Sequence, residues 1–478
     1  MSIKDNHNSS SYSSLNPFTS DFQPVALVQL LLVPLIFIGV LSGARNAPGW
    51  LGSFYLDVFF LSLTPVLLLM HAYYSEDEGF WVHIAQISLL ILLTFVLLRQ
   101  RNLYIPANGR TPHVIFIFLL YAVYPFVGYN AFEFLRSRII YISAYIVILA
   151  VYFFHVNQMS AGSTRASFVV YAGIFFGICL FIIPRYVSRN IFLWSISLTS
   201  GFFVFIGIPV YLFGSYNLLW LQPKFFASTA TVPLIGVEFH YLQSALSNPN
   251  ILGVLAFAGT FGAFVLVVEG IQRSEFLLLP VSGILFVLNG VGMYLTYARA
   301  SWLAFGLAMA VYISYIVIGR RAVPYTVVVL GTLSIFFLFS ILLGIGLVEA
   351  HGRSELWLAG LQAIKNSPSL FGYGVVNTHD VIEPFISVSR LQGRSPHNSY
   401  VQIFLNIGIV GGLAYIVIVV GSIIEGVIKR DFVDVPMLGF ALAFAVHQSF
   451  SVYTLFNNAV ASILALLVFG YLICGYER

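Results

Sequence analysis

Charge is what this chain has least of: Asp, Glu, Lys and Arg make up 8% of its 478 residues, against 59% hydrophobic ones. Soluble globular proteins carry roughly 25% charged residues. A water-solvated globule is therefore excluded, and the lipid bilayer becomes the main solvent. Cysteine is almost missing too. Cys179 and Cys474 both lie within apolar runs, too few for a disulfide framework or a zinc site. The net charge of +4 is small and its basic residues are scattered, which leaves no electrostatic footprint for nucleic acid. Residues 1–22 are polar and rich in Ser and Asn, without the basic n-region of a signal peptide. They read as a disordered tail ahead of a single integral membrane domain, 23–478.

What is abundant is long apolar runs. A spanning helix needs about 20 mostly apolar residues. Such runs fall near 24–43, 51–72, 80–98, 112–130, 139–155, 166–184, 190–213, 249–269, 276–296, 300–318, 324–347, 399–424, 434–452 and 458–475. The expected fold class is an all-α polytopic membrane protein of about 12–14 transmembrane helices. Arg273, Arg320, Arg321, Lys429, Arg430 and Arg478 occupy alternate connections, which the positive-inside rule assigns to the cytoplasm. The opposite connections, 214–247, the junction at Arg299, 348–396 and the turn near Tyr453, then face outside. In the first half, Arg99, Arg101 and Arg110 break the parity of 14 crossings, so one run there is expected not to span.

Of the two long external loops, 214–247 is apolar and aromatic and ends in Asn248-Pro249-Asn250, a turn leading into a helix. The other, 348–396, gathers charge and opens with a helical pattern. Leu356, Trp357, Leu361 and Ile364 share a face, and Pro368 ends the run. The expectation is a helix lying on the membrane surface, anchored by Trp357.

Three residues at the water-facing ends of apolar helices carry the candidate chemistry. Ser395-Pro396-His397-Asn398 reads as N-cap, proline at the first position, then histidine in the first turn. The positive end of a helix dipole disfavours imidazolium, and a neutral imidazole accepts a proton from a hydroxyl. His397, Val401, Phe404 and Gly408 share a helical face, where Gly408 and Gly411 would admit a neighbouring helix. Arg299 begins the apolar run 300–318, where a guanidinium beside free backbone N–H groups suits a phosphate. Arg353 opens the surface helix and would complete a clamp on a diphosphate. Each has a plainer explanation: snorkelling for Arg299 and His397, and pairing with Glu349 or Glu355 for Arg353. Arg390, Arg394, Asn398 and Glu355 are accessory candidates. His447 reads as a hydrogen-bonded packing residue, and His71, His83, His113 and His155 as interfacial. No residue set requires a metal or cofactor.

Arg299-x-x-x-Leu303, with His397-Asn398-x9-Gly408-x-x-Gly411, resembles the paired motif of bacterial O-antigen ligases, within the O-antigen ligase and polymerase superfamily of membrane glycosyltransferases. Supporting pieces are Asn248-Pro249-Asn250 and Arg353-x-x-Leu356-Trp357-x-x-Gly360 leading to Gly372-x-Gly374. The likeness covers roughly 235–425. It implies a GT-C-type fold in the cytoplasmic membrane and a metal-independent, inverting transfer on the external face. It further implies a polyprenyl-diphosphate-linked glycan as donor, His397 as general base, and Arg299 and Arg353 on the diphosphate. The acceptor hydroxyl would belong to a glycolipid (ligase), to the growing glycan (polymerase) or to an exported protein. A transporter or flippase for the same glycans is the competing class. It would place ionisable residues and broken helices at mid-membrane.

Overall fold

The computed structural model describes residues 136–478 apart from 157–172, 174–175, 187, 219–220, 232–235, 237, 275, 277, 346–351, 368, 375–377, 454–459 and 476–478. The expected polar tail, the first four apolar runs and the arginines of the first half lie outside the described residues. So do His71, His83, His113, Glu349, Pro368 and Arg478.

Helices dominate, because Leu, Ile, Val, Phe and Ala runs without water must satisfy every backbone N–H and C=O internally. They are α1 (Ile139–Phe154), α2 (Arg189–Gly207), α3 (Pro249–Gln272), α4 (Leu279–Leu295), α5 (Arg299–Ile318), α6 (Val323–Leu342), α7 (Arg353–Lys365), α8 (Ser399–Ile416), α9 (Val435–His447) and α10 (Val460–Cys474). Among the described residues five helical segments are long and apolar enough to cross a membrane: Arg189–Phe213, Pro249–Gln272, Arg299–Ile318, Arg320–Leu342 and Ser399–Ile428. The chain is a multi-pass membrane protein.

One expectation needs correcting. The fold is not purely α: within segment 214–247, β1 (Lys224–Thr231) and β2 (Glu238–Ser244) pair as an antiparallel hairpin. Phe225, Phe226, Thr229, Thr231, Phe239 and Tyr241 are aromatic or β-branched residues that fit a half-buried pleated surface.

α2, α3 and α4 form a tight trio. Its contacts rest on small residues and buried polar links, the usual means where lipid gives helices no reason to associate. Ser197 donates to the Gly259 carbonyl, and Asn289 Nδ2 donates to the Ser197 carbonyl, both at 3.0 Å. α5 lies on α9, and α8 on α1.

The helices run alternately, so the bundle has two chemically distinct ends. One end gathers Arg189, Arg273, Arg320, Arg321, Lys429 and Arg430. There Arg189 bridges Glu269 of α3 at 2.6 Å and Asp434, the N-cap of α9, at 3.0 Å. Arg320 Nη1 donates to the carbonyls of Arg430, Asp431 and Val433, each at 3.0 Å. At the other end lie the hairpin, the starts of α5, α7 and α8, and the turn after α9. α5 alone, 20 residues long, separates the two ends by about 30 Å.

Candidate active site

α8 is broken. Ile407 (φ −119°, ψ 16°) and Gly408 (φ 64°, ψ −163°) leave helical geometry, and a break inside a membrane helix frees carbonyls that something must satisfy. The segment Ser369–Gly374 does so. Tyr373 N donates to the Leu405 carbonyl and Gly374 N to the Asn406 carbonyl, both at 2.8 Å, while Val410 N donates to Leu370 O at 3.3 Å. A Cβ on Gly408 would collide with the Leu370 carbonyl and the Gly372 nitrogen. The glycine therefore admits a loop, not the neighbouring helix expected from the sequence. At Gly411 the nearest atoms a Cβ would meet are in the side chain of Ile407. His155, expected at the interface, is instead buried, its Nε2 2.7 Å from the Phe371 carbonyl of the same loop.

The histidine end also differs from expectation. The N-cap is Asn398, whose Oδ1 accepts from Tyr400 N at 2.9 Å and Val401 N at 3.1 Å. Pro396 and His397 lie outside the helix, so the four-three-four spacing does not aim the imidazole. Its direction comes from a left-handed backbone, φ 47°. Non-glycine residues seldom adopt it, and such strain collects at functional sites. Asn398, an accessory site candidate by sequence, is occupied as a cap.

Trp357 is a second correction. It is buried rather than anchored in lipid, and its indole N–H donates to the Pro396 carbonyl at 3.0 Å, directly behind His397. The helix α7 buries Leu356, Trp357, Ala359, Gly360 and Ala363, while Leu358 and Leu361 are exposed. Of the stripe expected from the sequence, Leu356 and Trp357 are buried and Ile364 packs against the cluster around Leu356, while Leu361 is exposed and Ala359, Gly360 and Ala363 carry the rest of the contact.

The hub of the site is the turn following α9, for which the sequence suggested an outward position and a packing role for His447 but no link to the site. His447 Nε2 lies 3.3 Å from Ser301 Oγ at the start of α5, and its Nδ1 2.9 Å from the Tyr453 hydroxyl. Its role is hydrogen-bonded packing. The Gln448 carbonyl accepts from Ser399 N at 2.8 Å, and Ser399 Oγ donates to the Ser451 carbonyl at 2.6 Å. Phe450 stacks near Trp357, centroids 6.2 Å apart, and faces the Arg353 guanidinium. The starts of α5, α7 and α8 are thus tied to one turn.

Electrostatics follow from this convergence. Burial and then the charge of Arg299 lower the titration of Arg353, so the two guanidinium groups lie within each other's field. Among the described residues neither forms an ion pair with a carboxylate. Glu355 instead accepts from Ser387 Oγ at 3.1 Å. Cations near one another without a carboxylate partner among the described residues make a local positive potential. His397 keeps one side to solvent, yet crowding by the protein, then Arg353, then Arg394 lower its titration below the ordinary imidazole value. Around neutrality it is a free base. Arg390 and Arg394 are both exposed. Arg394 acts on His397 through its charge, whereas nothing in the structure draws Arg390 to the site.

The described residues thus form a bundle of apolar helices with two guanidinium groups and an imidazole near one end. Residues 284–416, which include Arg299, Arg353 and His397, match the family model described as O-antigen ligase. Over these residues the chain is similar to the O-antigen ligase superfamily. No curated protein matches it.

Proposed function

We propose that this protein transfers an oligo- or polysaccharide from a polyprenyl diphosphate to an acceptor hydroxyl on the external face of the cytoplasmic membrane, within a GT-C-type framework. The observation that carries the reading is the pair of guanidinium groups, Arg299 and Arg353, within each other's field, near an imidazole whose protonation is disfavoured by burial and then by Arg353 and Arg394. Arg299 and Arg353 hold the diphosphate, and His397 takes the acceptor proton. The acceptor oxygen forms the new bond to the anomeric carbon as the bond to the diphosphate oxygen breaks. The electron pair leaves on the diphosphate, and the proton passes to His397. Attack opposite the leaving group inverts the anomeric centre. Because the two arginines carry the charge that grows on the leaving oxygen, this reading calls for no divalent cation.

The arginine-rich end around Arg320 faces the cytoplasm in this reading, which sets the His397 end outside. A ligase acting on a glycolipid acceptor fits the motif pair, with the polymerase of the same superfamily as the alternative. The transporter reading has one observation in its favour, the break in α8. The carbonyls freed there at Leu405 and Asn406 are already taken by Tyr373 and Gly374, which leaves no open cage for a coupling ion.

The deciding experiment supplies purified protein with a defined polyprenyl-diphosphate glycan, chelator and candidate acceptors, and identifies the glycosylated product. Wild type transfers with inversion, and His397→Ala binds donor but does not transfer. Transfer at the wild-type rate by His397→Ala would remove His397 as the base.

A further inference from the structure

Five aromatic rings form a continuous cluster where the hairpin meets the turn between α4 and α5. Tyr241 stacks on Tyr297, centroids 5.3 Å apart and planes 17° apart. Tyr297 meets Trp302 edge-on at 5.4 Å, and Trp302 stacks on Tyr294 at 5.8 Å with 8° between planes. Phe239 closes the group against Tyr294 at 6.1 Å and Tyr297 at 6.2 Å. The cluster is not sealed: Tyr294 is 42% exposed, and the other four are partly exposed.

Three features point to a ligand. The Arg299 guanidinium carbon lies 5.3 Å from the Tyr297 ring centroid, so the cluster begins where the anion site does. Tyr297 holds a left-handed backbone, φ 53°, a rare state for a bulky side chain. Among the described residues, the hydroxyls of Tyr241, Tyr294 and Tyr297 have no hydrogen-bond partner within the protein. Phenol groups beside partly exposed rings offer both donors and acceptors.

We infer that this aromatic shelf is a saccharide-binding subsite that receives the first sugar rings of the glycan attached to the diphosphate. The inference rests on the diphosphate-binding reading of Arg299. A diphosphate on Arg299 places its glycosidic carbon within about one pyranose ring of Tyr297. The C–H face of a pyranose carries partial positive charge that suits the negative face of an aromatic ring. The sugar hydroxyls then meet the three phenols. A polyprenyl chain would cover the rings equally well but would bury the phenols without a partner, at a desolvation cost. The saccharide is therefore the favoured occupant.

The test measures binding to the full chain in nanodiscs with two probes: a polyprenyl diphosphate bearing a disaccharide, and the same lipid diphosphate without sugar. Tyr241 stands on the hairpin and joins the shelf through Tyr297, the ring that faces Arg299, and is the residue to vary. Tyr241→Leu should weaken the glycosylated probe about tenfold, the factor made by 1.4 kcal/mol, and leave the bare probe unchanged. Tyr241→Phe, which keeps the ring, should retain most of the sugar-dependent affinity. Equal loss of both probes would assign the shelf to the lipid chain or to structure alone, and no loss of either would remove it as a subsite. Arg299→Ala separates the two ideas. Unchanged binding of the bare probe to that variant would overturn the diphosphate clamp, while the contrast between probes at Tyr241 would still decide the shelf.

Discussion

The Arg353 guanidinium stands over the ring of Phe450, 5.4 Å from its centroid. Phe450 belongs to no recognised motif, yet it backs the cation and packs on Trp357, which holds the loop before His397. A cation–π contact contributes about 0.5–2 kcal/mol depending on desolvation. Phe450→Leu should therefore raise the donor KM roughly two- to thirtyfold, while Phe450→Tyr stays close to wild type. Initial rates against donor concentration decide the point. A KM unchanged in Phe450→Leu would mean that the ring does not hold Arg353 in a productive place.

The pH profile carries the signature of the base. Burial, Arg353 and Arg394 all favour neutral imidazole, so the acid limb of kcat/KM lies below the ordinary histidine value of about 6.5. Removing a nearby cation eases protonation and raises that pKa. Arg394→Gln should move the acid limb towards higher pH, so activity is lost earlier on acidification, while the rate on the alkaline side stays level. A limb fixed in place would show that the titrating group is not His397.

How much of this was legible beforehand depends on the scale of the interaction. Hydropathy alone marks the spans from 139 to 475, because burial in lipid is set by long runs rather than by partners. The gathering of Arg273, Arg320 and Lys429 at one end follows from chain alternation and was equally readable. The starts of α5 and α7 fell where Arg299 and Arg353 suggested. Contacts set by tertiary structure were not readable. Trp357 looked like a lipid anchor because an exposed and a buried tryptophan leave the same trace in a helical pattern. Only the fold shows its N–H meeting Pro396. His397 looked helical because Ser-Pro imitates a cap, but Asn398 competes for that role and wins with two hydrogen bonds. The sequence suggested an outward place for the turn near Tyr453 and a packing role for His447. The link of the turn 447–453 to the starts of α5, α7 and α8 was not readable, because it depends on tertiary contacts and partly on backbone carbonyls. The hairpin was hidden by its aromatic content, which reads equally as interface.

Gly408 offers a test of the broken helix. Alanine there would hold a backbone (φ 64°, ψ −163°) that is essentially reserved for glycine, costing about 1–3 kcal/mol. Its methyl would also drive into the Leu370 carbonyl, pushing the 369–374 loop off the Leu405 and Asn406 carbonyls. Gly408→Ala should lower the apparent Tm and transfer activity together, with increased protease access at the 369–374 loop. A variant with wild-type Tm and a protected loop would show that the break tolerates a side chain.

Stability and chemistry should separate at the far end of the bundle. Arg189 is the shared partner of Glu269 and Asp434. Its side chain is 20% exposed, against 14% for Glu269 and 28% for Asp434, so water screens the cluster only in part. Arg189→Ala leaves two carboxylates facing each other with Arg273 as a weaker partner, 3.5 Å from Glu269. Breaking a buried pair from one side costs about 3–5 kcal/mol, and the partial exposure here argues for the lower figure. Arg189→Lys keeps a charge but loses the planar fork that reaches α3 and α9 at once, so it should recover only part of the loss. The helix α5 places this cluster about 30 Å from Arg299, well beyond the Debye length of about 8 Å in physiological salt. Transfer per folded molecule should thus be unchanged while the apparent Tm falls by several degrees. If kcat dropped at a temperature where Arg189→Ala remains fully folded, the two ends of the bundle would have to be coupled through the helices that join them.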